Sequence, residues 1–180
     1  MAQIDWRQCG FVGLFLVALA MAAPAMAQGQ QMTEQCENKN KQYSLDVMIA
    51  ACTQAIQSGQ WSGSNLAWAF NNRGNAYADK QDEERALADF GVAIQLNPTY
   101  ALAYYNRGTI YHDRRDHSRA IADYSASIQY NPDYLPAYRN RGLVYEDMGD
   151  RDRAIADFRI AYARGHPKAG DDLRRLGVTP

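Results

Sequence analysis

The chain has 180 residues, 47% hydrophobic and 22% charged, which is an ordinary composition for a folded domain. Its formal net charge is -1 and its pI about 6.3. That balance lacks the basic footprint nucleic-acid binding requires, so no nucleic-acid partner is expected.

Residues 1–27 differ from the rest. Arg7 lies in a short polar start, Phe11 to Ala23 is an apolar and glycine run, and Ala25-Met26-Ala27 has the small-x-small cleavage pattern. Together they predict a secretory signal peptide over 1–27, cut after Ala27. The alternative is a membrane anchor, but a span needs about 20 apolar residues. No other segment is long or apolar enough, so no membrane span is expected after cleavage. Cys9 is lost with the leader and no Cys follows the cut, which leaves a lipid-anchored form unsupported. The expected location is periplasmic or secreted. Cys36 and Cys52 then remain in an oxidising compartment, where an even count favours a disulfide over two buried free thiols. With His112 the closest histidine, the two thiols make a poor metal site, and no metal or cofactor is expected.

Residues 28–66 are expected to form a divergent helix pair. The polar stretch 28–33 reads as a loose leader. One helix is predicted over Glu34 to Tyr43 and a second over Asp46 to Gln57, with Gly59 suited to its C-cap. Aligning Ala55-Ile56 with Ala93-Ile94, a shift of 38, puts Cys36 opposite Gly74 and Cys52 opposite Phe90. Those two positions should face inward, one on each helix. A bond between them closes a loop of about 15 residues, worth ~3 kcal/mol in the chain-entropy model. The physical reason is that an end unit lacks a neighbour on one side and buries less. The link from Gln60 to Asn65 is turn-rich and four residues longer than later ones, with Trp61 as a plug.

Three regular units follow, 67–100, 101–134 and 135–168. Asn72-Arg73-Gly74 returns as Asn106-Arg107-Gly108 and Asn140-Arg141-Gly142, each 34 residues on. Ala86-Leu87-Ala88-Asp89-Phe90 keeps the same step in Ala120 to Tyr124 and Ala154 to Phe158. Two markers on one period mean a repeat architecture. In each unit two aromatics seven residues apart share one face of the first helix: Phe70 and Tyr77, Tyr104 and Tyr111, Tyr138 and Tyr145. The Gly between them costs ~1 kcal/mol mid-helix, so close helix approach is its reason, with Ala86, Ala120 and Ala154 expected opposite. Asp82, Asp116 and Asp150 are N-caps for the second helix. Phe90, Tyr124 and Phe158 point inward, and Pro98, Pro132 and Pro167 close the units. Residues 169–180 read as a capping helix, apolar at Leu173 and Leu176 and polar outside.

Gly at unit position 8, aromatic at 11, Ala at 20, aromatic at 24, Ala or Ser at 27 and Pro at 32 together resemble the tetratricopeptide repeat. In the first regular unit these are Gly74, Tyr77, Ala86, Phe90, Ala93 and Pro98. The match is strong over 67–168 and weak over 34–66, and the Cys-bearing unit resembles small exported proteobacterial proteins of this family. The resemblance implies an all-α, right-handed solenoid of antiparallel helix hairpins. It also implies a non-catalytic interaction module whose first helices line a concave groove for a peptide or partner protein. One departure is position 7, usually Leu, which here is Arg73, Arg107 and Arg141. These need an anion, and Asp89, Asp123 and Asp157 are expected to supply it. The rival is that those aspartates only pair on the surface with Arg85, Arg119 and Arg153, four residues before them.

The groove positions are 2, 5, 6, 9 and 12: Trp68, Asn71, Asn72, Asn75 and Ala78, then Leu102, Tyr105, Asn106, Thr109 and His112, then Pro136, Arg139, Asn140, Leu143 and Glu146. The repeated Asn72, Asn106 and Asn140 offer the complement of a peptide group, similar to the asparagine ladder of repeats that hold a peptide by its backbone. The alternative is that they bridge adjacent helices. A clamp for a terminal carboxylate needs Lys or Arg at positions 2, 5 and 6, and only Arg139 fits. Trp68, Leu102 and Tyr105 add apolar contact. No HExxH, GxSxG or P-loop motif is present, and the His112/Asp113 and Asp116/His117 pairs read as solvated turn residues. The alternative to a groove-binding adaptor is a structural module that self-associates weakly through its repeat ends.

Overall fold

In each of the three regular units the second helix starts on an aspartate whose carboxylate accepts the backbone N–H three residues on: Asp82 from Arg85, Asp116 from Arg119 and Asp150 from Arg153. The residue before each takes a left-handed conformation, with φ of 63° at Gln81, 58° at Arg115 and 77° at Gly149. Only the last regular unit places a glycine at this turn, where the side chain otherwise carries a steric cost.

The computed structural model describes residues 27–180, so the expected signal peptide lies outside the described residues except for Ala27. The described helices are α1 (27–37), α2 (Leu45–Gln57), α3 (Ala67–Asp79), α4 (Glu83–Leu96), α5 (Ala101–Asp113), α6 (His117–Tyr130), α7 (Leu135–Asp147), α8 (Arg151–Ala163) and α9 (Ala169–Arg175). A 3-10 turn, Gly63–Leu66, leads into α3, and no strand occurs among the described residues. Sequential helices pack as antiparallel hairpins, and the first helices α3, α5 and α7 also touch in turn along one side. The result is a helical solenoid. No helix among the described residues is long and apolar enough to cross a membrane.

The N-terminal hairpin departs from the sequence expectation in extent. Residues 28–33 are not a loose leader but belong to α1, where Met32 and Cys36, one turn apart, are both buried. The helix stops at residue 37 rather than at Tyr43. Asn38 takes φ 42°, and its carboxamide closes the turn on the backbone of Tyr43, donating at 2.9 Å and accepting at 3.0 Å. Gly59, at φ 69°, follows the end of α2. Cys36 and Cys52 are joined, with S–S 2.06 Å, and both are fully buried.

Inside the regular hairpins, the expected neighbour of the mid-helix glycine is corrected. A Cβ at Gly74 would lie 2.7 Å from the ring of Phe90, and one at Gly142 would lie 2.7 Å from Phe158. At Gly108 the ring of Tyr124 and the Asp123 Cβ would each be 3.1 Å away. The glycine thus makes room for the position-24 aromatic rather than for Ala86, Ala120 or Ala154. Phe90, Tyr124 and Phe158 are the largest fully buried side chains, and each buries on the order of 150–250 Å² of surface.

Position 7 carries the ion pairs expected from the sequence. Arg73, Arg107 and Arg141 each grip the aspartate 16 residues on, Nε and Nη2 both at 2.8 Å from the carboxylate oxygens. Asp89, Asp123 and Asp157 are buried, so an unpaired carboxylate there would be expensive. The carboxylate hydrogen bond, opposed by burial, raises the pKa of each guanidinium above its ordinary value. The rival surface pairing does not form: Arg85, Arg119 and Arg153 turn to the N-cap aspartates instead. Tyr111 lies between two guanidiniums, with that of Arg119 at 4.3 Å and that of Arg107 at 6.0 Å from the ring centre. Arg73 also donates to Thr53 at 3.1 Å and Arg141 to Ser125 at 2.9 Å, tying each unit to the one before. The residue matching Ser125 one unit earlier is Gly91, which offers Arg107 no such partner.

Candidate peptide-binding face

The first helices build this face, because positions 2, 5, 6 and 9 of a helix recur on one side about every turn. The structure brings Asn71, Asn72 and Asn106 together, and likewise Tyr105 and Asn140. Asn106 Nδ2 donates to Asn71 Oδ1 at 3.0 Å, and Asn71 Nδ2 donates to Asn72 Oδ1 at 3.3 Å. One unit on, Asn140 Nδ2 donates to the Tyr105 hydroxyl at 3.0 Å. Asn106 and Asn140 therefore bridge adjacent helices, whereas Asn72 only accepts from its own neighbour Asn71 on α3. Each bridge uses one amide N–H and fixes the plane of the carboxamide.

Several expected groove residues are committed to packing. Asn71 is buried. Trp68 meets Trp61 edge to face, centroids 5.4 Å apart, and both pack on the cluster around the disulfide. Tyr105 stands edge-on to Tyr134 at 4.9 Å and lies 5.7 Å from Tyr124. Burial, outweighing the Asn140 hydrogen bond, raises the pKa of its phenol. Thr109 donates to the Tyr105 carbonyl at 3.1 Å and accepts from Tyr124 at 3.3 Å.

Arg139 is held by Asp172 of α9, at 2.6 Å to Nε and 3.1 Å to Nη2. Glu146 meets Arg175, and Leu143, Leu176 and Val178 pack against one buried cluster that includes Leu173 of α9. So α9 lies where the first helix of a further unit would, and it covers positions 5, 9 and 12 of the third unit. His112 Nε2 lies 2.9 Å from Asp147, one unit further on. Asn75, Leu102 and Pro136 have none of these contacts: Asn75 and Pro136 are half-buried and Leu102 is 37% exposed. No group of three His, Cys, Asp or Glu among the described residues is placed to hold a metal ion.

Two contributors were missed from the sequence. Asp172 was read only as part of a polar outer face. On α1, Gln30, Thr33, Glu34 and Glu37 stand 38 residues before Trp68, Asn71, Asn72 and Asn75. The shift that matched the cysteines would have found them.

Three family models match the chain: a TPR repeat over 74–114 and two tetratricopeptide repeats over 101–134 and 135–162. The chain is a tetratricopeptide repeat protein. Among solved structures, MamA is similar at a TM-score of 0.66 and 26% identity, over 78% of this chain and 80% of that one. The Arabidopsis OM64 TPR domain gives 0.60 at 24% identity, over 64% of this chain and 97% of that one. The first TPR of Spaghetti (RPAP3), bound to the HSP90 peptide SRMEEVD, gives 0.61 at 19% identity, over 64% and 96%. The last two are likenesses of fold. No curated relative matches the chain.

Proposed function

We propose that the chain is an exported, non-catalytic interaction module that holds an extended segment of a partner protein along the concave side of its first helices. The observation that carries this reading is the pinned asparagine. One N–H of Asn106 and one of Asn140 are spent on the neighbouring helix, which orients the rest of each amide without occupying it. A bridged amide is thus a preorganised one, and preorganisation lowers the cost of binding. Packed helices stand roughly 10 Å apart and an extended peptide advances about 3.3 Å per residue. One oriented amide per unit therefore meets the peptide backbone about every third residue. Leu102 adds exposed apolar surface between the rungs.

A repeat solenoid of the same fold carries a peptide in the RPAP3 structure, which supports a peptide partner here. A terminal-carboxylate clamp is disfavoured, because Arg139 already holds Asp172 with two hydrogen bonds. The buried disulfide and the leader-like sequence of 1–27 support export.

The test is capture from a cell-envelope extract with the purified chain and with an Asn75→Ala/Leu102→Asp variant. Both residues lie on the concave side, and neither has a hydrogen-bonded side-chain partner among the described residues. Loss of the captured band with unchanged circular dichroism is expected. Equal capture by the variant overturns the concave face as the binding surface.

A further inference from the structure

An open cleft lies at the N-terminal end of this face. Its volume is about 610 Å³, within the range of small-ligand and side-chain pockets. One wall is α1, through Gln30, Thr33, Glu34 and Glu37. The other is Gln60 and Trp61, from the link that is four residues longer than its counterparts. The α1 wall occupies positions 2, 5, 6 and 9 in the register set by the cysteines, so the cleft extends the concave face by one unit. The extra residues in the link are thus used to build a wall. Trp68 holds Trp61 edge-on at 5.4 Å, and the disulfide ties α1 to α2 beneath it. At the closed side, a Cβ on Gly29 would sit 3.2 Å from the Gln60 side chain.

The charge of this cleft departs from that of the rest of the face. Its charged lining residues are both acidic, Glu34 and Glu37, whereas the matching positions of the next unit are the neutral Asn72 and Asn75. Lys39 meets Glu37 at 2.8 Å but is 77% exposed, so that contact is open to displacement. Two carboxylates beside an indole ring complement a cation on an alkyl stem: charge meets the carboxylates, and the ring favours a cation over its face. We propose that the cleft receives a lysine or arginine side chain of the extended partner segment and so sets its sequence preference and register. The proposal rests on the concave face being the binding face. The asparagine rungs further along read only backbone, so this cleft is where side-chain identity is sensed.

The test is fluorescence anisotropy with three labelled decapeptides of alternating Arg-Ser, Gln-Ser and Glu-Ser, in about 0.15 M salt so that unspecific charge attraction is screened. The purified protein should bind the arginine peptide about tenfold more tightly than the glutamine peptide, and the glutamate peptide most weakly. Glu34→Gln/Glu37→Gln keeps the shape and hydrogen-bonding atoms and should bring the first two within about twofold. Binding of the glutamine peptide with no preference for arginine overturns the cleft assignment while the groove reading stands. A preference for arginine that survives in the double variant also overturns the cleft. Failure of all three peptides to bind overturns both.

Discussion

Cys36 and Cys52 stand 16 residues apart, as do Gly74 and Phe90, Gly108 and Tyr124, and Gly142 and Phe158. In the three regular hairpins that pair is a bare backbone against a buried ring, next to a buried aspartate paired with a half-buried arginine. In the first hairpin the ring is absent, and so is the ion pair, because Gln35 and Ala51 fill its two positions. A covalent bond stands in their place. A ring repays its burial only when packed from several sides, and an end hairpin has a neighbouring unit on one side alone. A cross-link acts largely by constraining the unfolded chain, so its contribution does not depend on neighbours. The difference teaches that this solenoid changes its means of stabilisation, and not its geometry, where packing runs short.

The comparison is broken most severely in the middle repeat. Arg107→Leu installs the residue usual at that position in the family but leaves Asp123 buried without its partner. The expected loss is about 3–5 kcal/mol in urea unfolding. A loss under about 1 kcal/mol would mean that the pair is ornamental. Next is the cross-link itself. Cys36→Ser/Cys52→Ser should lose about 3 kcal/mol, and the loss should be local. Hydrogen exchange is expected to quicken in α1 and α2 while α5 to α8 keep their protection, and a uniform loss would contradict the division of labour.

The third test uses pH. Burial raises the Tyr124 and Tyr134 phenols to about 12, whereas Phe90 and Phe158 fill the Tyr124 position in the flanking units without an ionisable group. A phenol whose folded pKa lies above the unfolded value of about 10 contributes fully below pH 10, and that contribution is lost as pH climbs towards 12. Stability should therefore fall above pH 10, on the order of 2 kcal/mol from Tyr124 alone, and Tyr124→Phe should flatten the fall. An unchanged alkaline limb in that variant would place its origin elsewhere.

The smallest effect sharpens the comparison rather than breaking it. Gly91 has open space around its Cβ position, and Arg107 lacks the hydroxyl partner that Thr53 gives Arg73 and Ser125 gives Arg141. Gly91→Ser should stabilise by about 0.5–1.5 kcal/mol, through helix propensity and one further hydrogen bond. Combined with Arg107→Leu, the hydrogen-bond share of the gain should vanish and only the helix-propensity share should remain.

The fold was legible where the chain repeats. The 34-residue period, the aspartate caps and the arginine–aspartate pairing follow from residue types at fixed offsets. The disulfide followed from carrying the register back by 38. What failed depended on geometry across a hairpin or beyond the last repeat. That glycine meets a ring and not an alanine is set by how far the turn shifts one helix along the other, which no local signal reports. Residues 28–33 read as leader because a polar Gln-rich helix anchored only at Met32 and Cys36 shows too little periodicity. Arg139 read as a groove residue because the register was not extended past residue 168, where Asp172 waits. Asn71 and Tyr105 share its position, and all three face the next unit. The positions on the first helices were therefore legible as one face, but the sequence did not divide those held by the next unit from those without a partner contact.

The central claim, that a partner lies along the concave side, is tested most directly by site-specific photo-crosslinking in cells. A photoreactive phenylalanine analogue is placed at Asn75 on the first-helix side and, separately, at Arg159, an exposed residue on the second helix of the last unit. The account predicts a discrete adduct from position 75 and none from position 159. An adduct from position 159 with none from position 75 would contradict it.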